Sequence, residues 1–192
     1  MNIKLQVFVL IGLFLISCQN KTPDNRKEWI INIDKVIEAY DIIAVIDTTK
    51  TLVEDNGYGT FTSYKKSVNE IYKIKGVIVD SKNFLDFTQE FYIQNDKILL
   101  SKMYGTFPLL YKHRKEKKDP CCQVFERVSY FKNDSEQKQY LKEINIMNED
   151  EKALKLNDLD NLEFKEVDKE YISYDYFDAE KSLEEIKYQL FN

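Results

Sequence analysis

A series of strand-like runs between residues 60 and 146 limits this chain's fold more than anything else in it. In these runs β-branched and aromatic residues alternate with polar ones. Thr60-Phe61-Thr62-Ser63-Tyr64 and the stretch from Ile71 to Val79 have this character, and a period of two is the signature of a strand with one buried face. Phe87 to Gln94 and Lys97 to Met103 flank Asn95-Asp96. Asn and Asp tolerate the positive φ of a tight turn, so 87–103 is expected to form an antiparallel hairpin. Phe125 to Lys132, followed by Asn133-Asp134 and a polar-apolar run to Ile146, repeats the pattern. Gly57-Tyr58-Gly59 reads as the turn leading into the first run. Successive hairpins of one meander account for the whole stretch.

Helical periodicity lies at both ends of this region. Trp29, Ile30, Ile33, Val36, Ile37, Tyr40 and Ile43 recur at intervals of three and four among charged residues, the stripe of an amphipathic helix packed on a core. Thr22, Pro23 and Asp24 offer it a cap and a first-turn proline. Ile42 to Ile46 could continue the helix or open a strand. Residues 148–160 are charged and loop-like, and Leu162, Phe164 and Val167 precede a tyrosine-rich stretch from Tyr171 to Phe177. A last helix is expected from Asp178, its N-cap, through Leu183, Ile186, Tyr188 and Leu190. The expected class is α+β, an antiparallel meander sheet with N- and C-terminal helices packed on it.

The extreme N-terminus reads differently. Lys4 is followed by an apolar run from Leu5 to Ile16, then Ser17 and Cys18. The run is too short for a transmembrane helix, which takes roughly 20 residues, and has the layout of a signal peptide. Its ending, Leu15-Ile16-Ser17-Cys18, resembles the lipobox of bacterial lipoproteins. That resemblance covers residues 1–18 and implies cleavage before Cys18, with a diacylglycerol on its thiol and acyl chains such as palmitate. Residues 1–17 are then signal peptide, 18–25 the lipidated cysteine and a polar tether, and 26–192 a single globular domain. Two or three acyl chains suffice to hold a protein on a membrane. Gln19 after Cys18, with no Asp there, favours the outer membrane. Hairpins ending in aromatic-x-Asn-Asp, as at Tyr130-Phe131-Lys132-Asn133-Asp134, loosely resemble small Bacteroidota lipoproteins with a Tyr-Phe-x-Asn-Gly turn, a likeness that names no activity.

Charge argues against nucleic acid as a partner, because the formal net charge is −5 and loss of Lys4 with the signal makes it −6. Residues 134–192 hold 17 Asp and Glu against 8 Lys. Lys112, Arg114, Lys115, Lys117 and Lys118 form one basic run, read as a solvated loop facing the acidic half, with contact to an anionic ligand or lipid headgroup as the alternative.

Little in the chain advertises chemistry. His113, the single histidine, lies in the basic run, with no nucleophile elbow or glycine-rich phosphate loop anywhere. Asn157 to Asn161 only superficially suggests a calcium loop, and no cofactor, metal ligand set or catalytic residue is assigned. With Cys18 consumed by lipid, Cys121 and Cys122 remain, adjacent to each other. Two free thiols, a vicinal disulfide, and metal or redox chemistry all stay open, although the Cys-x-x-Cys spacing is absent. Tyr92, Tyr130, Tyr171, Tyr174 and Tyr176 read first as core and otherwise as an aromatic sheet face for a protein, peptide or glycan. The favoured function is a lipid-anchored, noncatalytic binding module of the cell envelope. The alternative is a membrane-tethered hydrolase using paired carboxylates.

Overall fold

The computed structural model describes residues 26–67, 70–81, 85–108, 120–147, 158–172 and 174–192. The expected signal peptide, lipidated Cys18 and tether (1–25), the basic run with His113, and the charged stretch 148–157 lie outside the described residues. The first helix begins at Glu28, with Lys27 at its N-cap and no side-chain cap bond, so the cap and first-turn proline expected from Thr22, Pro23 and Asp24 fall ahead of its start.

Helix α1 (Glu28–Ile43) is followed by strands β1 (Val45–Glu54), β2 (Gly57–Ser67), β3 (Glu70–Asp80), β4 (Leu85–Gln94), β5 (Lys97–Pro108), β6 (Cys122–Phe131), β7 (Gln137–Ile146) and β8 (Lys165–Glu166). A 3-10 turn (Lys169–Tyr171) and helix α2 (Tyr176–Phe191) complete it. The described strands form one sheet in sequential order, every neighbouring pair antiparallel. The expected α+β meander with a helix from each end is the observed architecture.

The expected hairpin is present, β4 and β5 meeting at Asn95 (φ 50°) and Asp96 (φ 60°), the paired positive φ values of a turn whose twist matches its strands. The β6–β7 connection is looser: Asn133 Oδ1 accepts from the backbone N–H of Ser135 (3.0 Å) and Glu136 (2.8 Å), closing an Asx-type turn. Gly57 to Gly59 is not a turn but the first part of β2, and Asp55-Asn56 makes the reversal. A Cβ at Gly57 would fall 1.8 Å from Val79 O, so glycine is there for close strand approach.

The two helices cover opposite faces. Ile30, Ile33 and Ile37 of α1 are buried against Tyr72, Tyr92, Leu100, Val128 and Tyr130, while Trp29, Val36 and Tyr40 are half-buried on the flanks. Ile43, included in the sequence stripe, is exposed: the helix ends there and β1 opens at Val45. On the other face Ala179, Leu183, Ile186 and Leu190 of α2 pack on Phe61, Ile74, Phe91, Ile93, Ile98 and Phe131. Gly76 admits this helix, because a Cβ would lie 2.9 Å from Ile186 Cδ1. The cap of α2 is Asp175, not Asp178. Asp175 Oδ1 accepts from the Asp178 N–H (3.0 Å), and the Asp178 carboxylate accepts from the Asp175 N–H (3.2 Å), so Asp178 is the second arm of a capping box. Ahead of it, the Tyr174 hydroxyl accepts from Gln89 Nε2, and Gln139 Nε2 donates to Tyr174 O (3.3 Å) and Ser129 Oγ (3.0 Å). These bonds satisfy polar groups buried on the sheet and fasten the chain entering α2.

One sheet edge is covered in part by β8 on β7. The other, β1, has a register slip between Ile46 and Thr48, where Asp47 turns back onto Ser63 Oγ (3.2 Å) and Lys65 Nζ (2.8 Å). Bulges of this kind discourage edge-to-edge pairing.

Candidate binding face

Register places three successive rows of side chains on the face that carries α1. The first, Tyr64, Lys73, Tyr92, Leu100, Tyr130 and Lys138, runs beneath the helix. The second is Thr49, Thr62, Lys75, Glu90, Lys102, Val128 and Tyr140; the third is Thr51, Thr60, Val77, Thr88, Tyr104, Glu126 and Lys142. Beyond them Cys122, Val124, Ile146 and Leu159 form a separate buried cluster. Between α1 and this cluster, the third row and the neighbouring lysines stay partly open, with Tyr104 36% exposed at the centre.

Ion pairing is dense where the open strip meets the helix. Glu90, 8% exposed, receives Lys73 Nζ at 3.3 Å and Lys75 Nζ at 3.4 Å, and Tyr92 Oη donates to it at 3.3 Å. Lys73 Nζ also donates to Tyr92 Oη (2.9 Å), and Tyr72 Oη donates to Asp41 (2.7 Å) from the helix side. Burial, reinforced by Glu90 and Asp41, raises the Tyr92 phenol above the ordinary tyrosine range, and burial with Asp41 does the same to Tyr72. Burial opposes charge on Lys75, but neighbouring Tyr104 and Glu90 outweigh it and raise its pKa. On the open row Glu126 is paired with Lys142 (2.7 Å), and Thr51 and Thr60 share a hydrogen bond (3.1 Å).

These groups can recognise polar ligands, with Glu90 and Glu126 each paired to lysine beside the Tyr104 ring. A separate hollow of about 580 Å³ lies between Lys27, the β6–β7 connection and the segment before α2. It contains Asp134, Glu136 and Asp175. There the Lys132 ammonium holds Glu136 below the usual carboxylate range, with Lys27 adding to the effect. A lowered carboxylate is a poor proton donor, so Glu136 does not supply the raised acid that a paired-carboxylate hydrolase needs. Among the described residues no group of three or more His, Cys, Asp or Glu is arranged to hold a metal ion.

The tyrosines singled out by sequence divide sharply. Tyr92, Tyr130 and Tyr176 are core, Tyr130 donating to Asp34 (2.9 Å) beneath α1 and Tyr176 packing edge-on against Phe131. Tyr174 is half-buried and Tyr171 is 70% exposed on the 3-10 turn. Nothing in the sequence alone singles out Tyr104, Thr60, Thr88, Lys75, Lys102 and Glu126. Alternation within each run puts them on one face, but only strand register shows that Thr60, Thr88, Tyr104 and Glu126 form one row with Lys75 and Lys102 in the row beside it. Cys121 and Cys122 stand at the start of β6, the first half-exposed and the second buried, as thiols with their sulfurs 2.8 Å apart. No family model, curated protein or solved structure matches this chain.

Proposed function

We propose that this chain is an exported lipoprotein, anchored through lipid on Cys18, whose half-open sheet face binds a polar envelope ligand without catalysis. A peptide, protein or glycan suits that face, and nucleic acid does not. The observation that carries the binding reading is the row Thr60, Val77, Thr88, Tyr104, Glu126 and Lys142. It sets an exposed aromatic ring among hydroxyls and paired charges, and such an amphipathic platform gains contact area at small entropic cost. The anchor reading rests on the apolar run ending in Ser17-Cys18. The nine residues between Cys18 and Glu28 could reach about 30 Å when extended, enough to hold the sheet clear of the headgroups. Gln19 favours the outer membrane. No helix among the described residues is long and apolar enough to cross a membrane.

The anchor is tested by expressing wild type and Cys18→Ala in a bacterium, fractionating the membranes and weighing the mature N-terminus. A lipidated Cys18 in wild type and a soluble or uncleaved exported form of the variant are expected. An unmodified wild-type N-terminus, or membrane partitioning unchanged by the substitution after signal removal, would sink the assignment. The face is tested with solubilised peptidoglycan fragments, which present both glycan and peptide. Saturable binding that Tyr104→Ala weakens at least tenfold without unfolding supports the reading, and equal retention of both proteins refutes it.

A further inference from the structure

We propose that Cys121 and Cys122 form a working dithiol that closes to a vicinal disulfide by thiol–disulfide exchange. Adjacent residues of a regular strand point to opposite faces, so neighbouring thiols in a strand do not ordinarily meet. Here they do. Cys121 sits on a bend immediately before β6, and Cys122 is the strand's first residue. The sulfurs stand 2.8 Å apart, inside van der Waals contact. Both ends of the pair are fixed: the Cys121 N–H donates to Ile146 O at 2.8 Å, and Cys122 pairs in register with Ile146. Pro120, with its locked φ, precedes them. The two sulfurs also differ in access, because Cys121 is half-exposed while Cys122 is 2% exposed against Val124, Ile146 and Leu159.

That asymmetry orders the chemistry. The Cys121 thiolate attacks the S–S bond of a disulfide oxidant RSSR, forming Cys121–S–S–R and releasing one RS⁻. The Cys122 thiolate then attacks Cys121 Sγ, the mixed bond breaks, and the second RS⁻ leaves. The pair loses two electrons and two protons, and RSSR becomes two RSH. The second step is intramolecular between atoms already in contact, so the mixed disulfide does not accumulate. Exchange itself is independent of export. That the closed form is the resident one rests on the envelope reading, since oxidising compartments sustain disulfides.

Full-length protein, with Cys18→Ala in parallel to remove the third thiol, is reduced, desalted and mixed with oxidised glutathione, then acid-quenched and weighed. The expected product has lost two hydrogens, carries no glutathione and resists iodoacetamide at both positions. Cys122→Ser is expected to stop as a glutathione adduct at Cys121, while Cys121→Ser reacts at least tenfold more slowly. Wild type that accumulates the adduct, or keeps both thiols, overturns the proposal. Because either variant could misfold, phenylarsine oxide on unaltered protein gives a second reading: one equivalent bridging both sulfurs is expected, and no uptake counts against the pair. Chain recovered from membranes under acid quench reports the resident state, and labelled thiols at both positions there refute the resident disulfide. An uncleaved chain without lipid fails the envelope reading instead, leaving the exchange result to decide the dithiol.

Discussion

Replacing Glu90 by Gln removes the one negative charge between two lysines on β3 while preserving side-chain volume. Its oxygens lie 3.3 Å from Lys73 Nζ and 3.4 Å from Lys75 Nζ. At an effective dielectric constant of 20, each pair is worth about 5 kcal/mol of gross Coulomb attraction. Most of that offsets the desolvation of the three groups, and removing one partner of a buried pair costs roughly 3–5 kcal/mol. The cost here falls below that range for two reasons. The Lys75 side chain is 30% exposed, and Lys73 keeps Asp41 at 4.0 Å. A loss of roughly 2–3 kcal/mol remains, equivalent to a Tm lower by roughly 5–10 °C for a chain of this size. Urea denaturation of the exported Cys18→Ala protein, followed by circular dichroism, measures it. Lys75→Met in the Glu90→Gln background should recover about 1 kcal/mol, because an unpaired lysine is then no longer held in the interface. A Glu90→Gln protein within about 0.5 kcal/mol of its parent, or strict additivity with Lys75→Met, would show that this network does not hold α1 to the sheet.

Two further substitutions test local geometry. Asp175→Ala should cost about 1 kcal/mol and speed amide exchange in the first turn of α2, whereas Asp175→Asn should retain most of the cap; equal protection in all three proteins would dismiss it. Gly105 has φ +140°, and a Cβ there would lie 2.1 Å from Asp86 O, so Gly105→Ala should destabilise by about 3 kcal/mol or more. Gly76→Ala meets only the flexible tip of Ile186 at 2.9 Å and should cost about 1 kcal/mol or less. Thermal melts that fail to rank the two glycine variants in this order would contradict the strand geometry.

Local chemistry makes some features readable without a structure. Alternation at Phe87–Gln94 and Lys97–Met103 with Asn95-Asp96 between them specifies a hairpin, because side-chain period and turn φ are properties of neighbouring residues. The stripe from Trp29 to Tyr40 specifies a helix face in the same way, and the apolar run ending at Cys18 owes nothing to the fold. Other outcomes depend on what packs where. Gly57 to Gly59 has the composition of a turn, yet it is paired on both sides within β2, and at Gly57 the glycine serves the close approach of Val79 O. Asp178 has the chemistry of an N-cap, but Gln89 and Gln139 seize Tyr174 and start the helix earlier, at the Asp175 cap. Tyr92 and Tyr104 are both strand tyrosines on one face, and nothing local separates them. Helix α1 covers the first and stops short of the second, so burial, and with it the candidate binding row, is decided by strand register and helix placement alone.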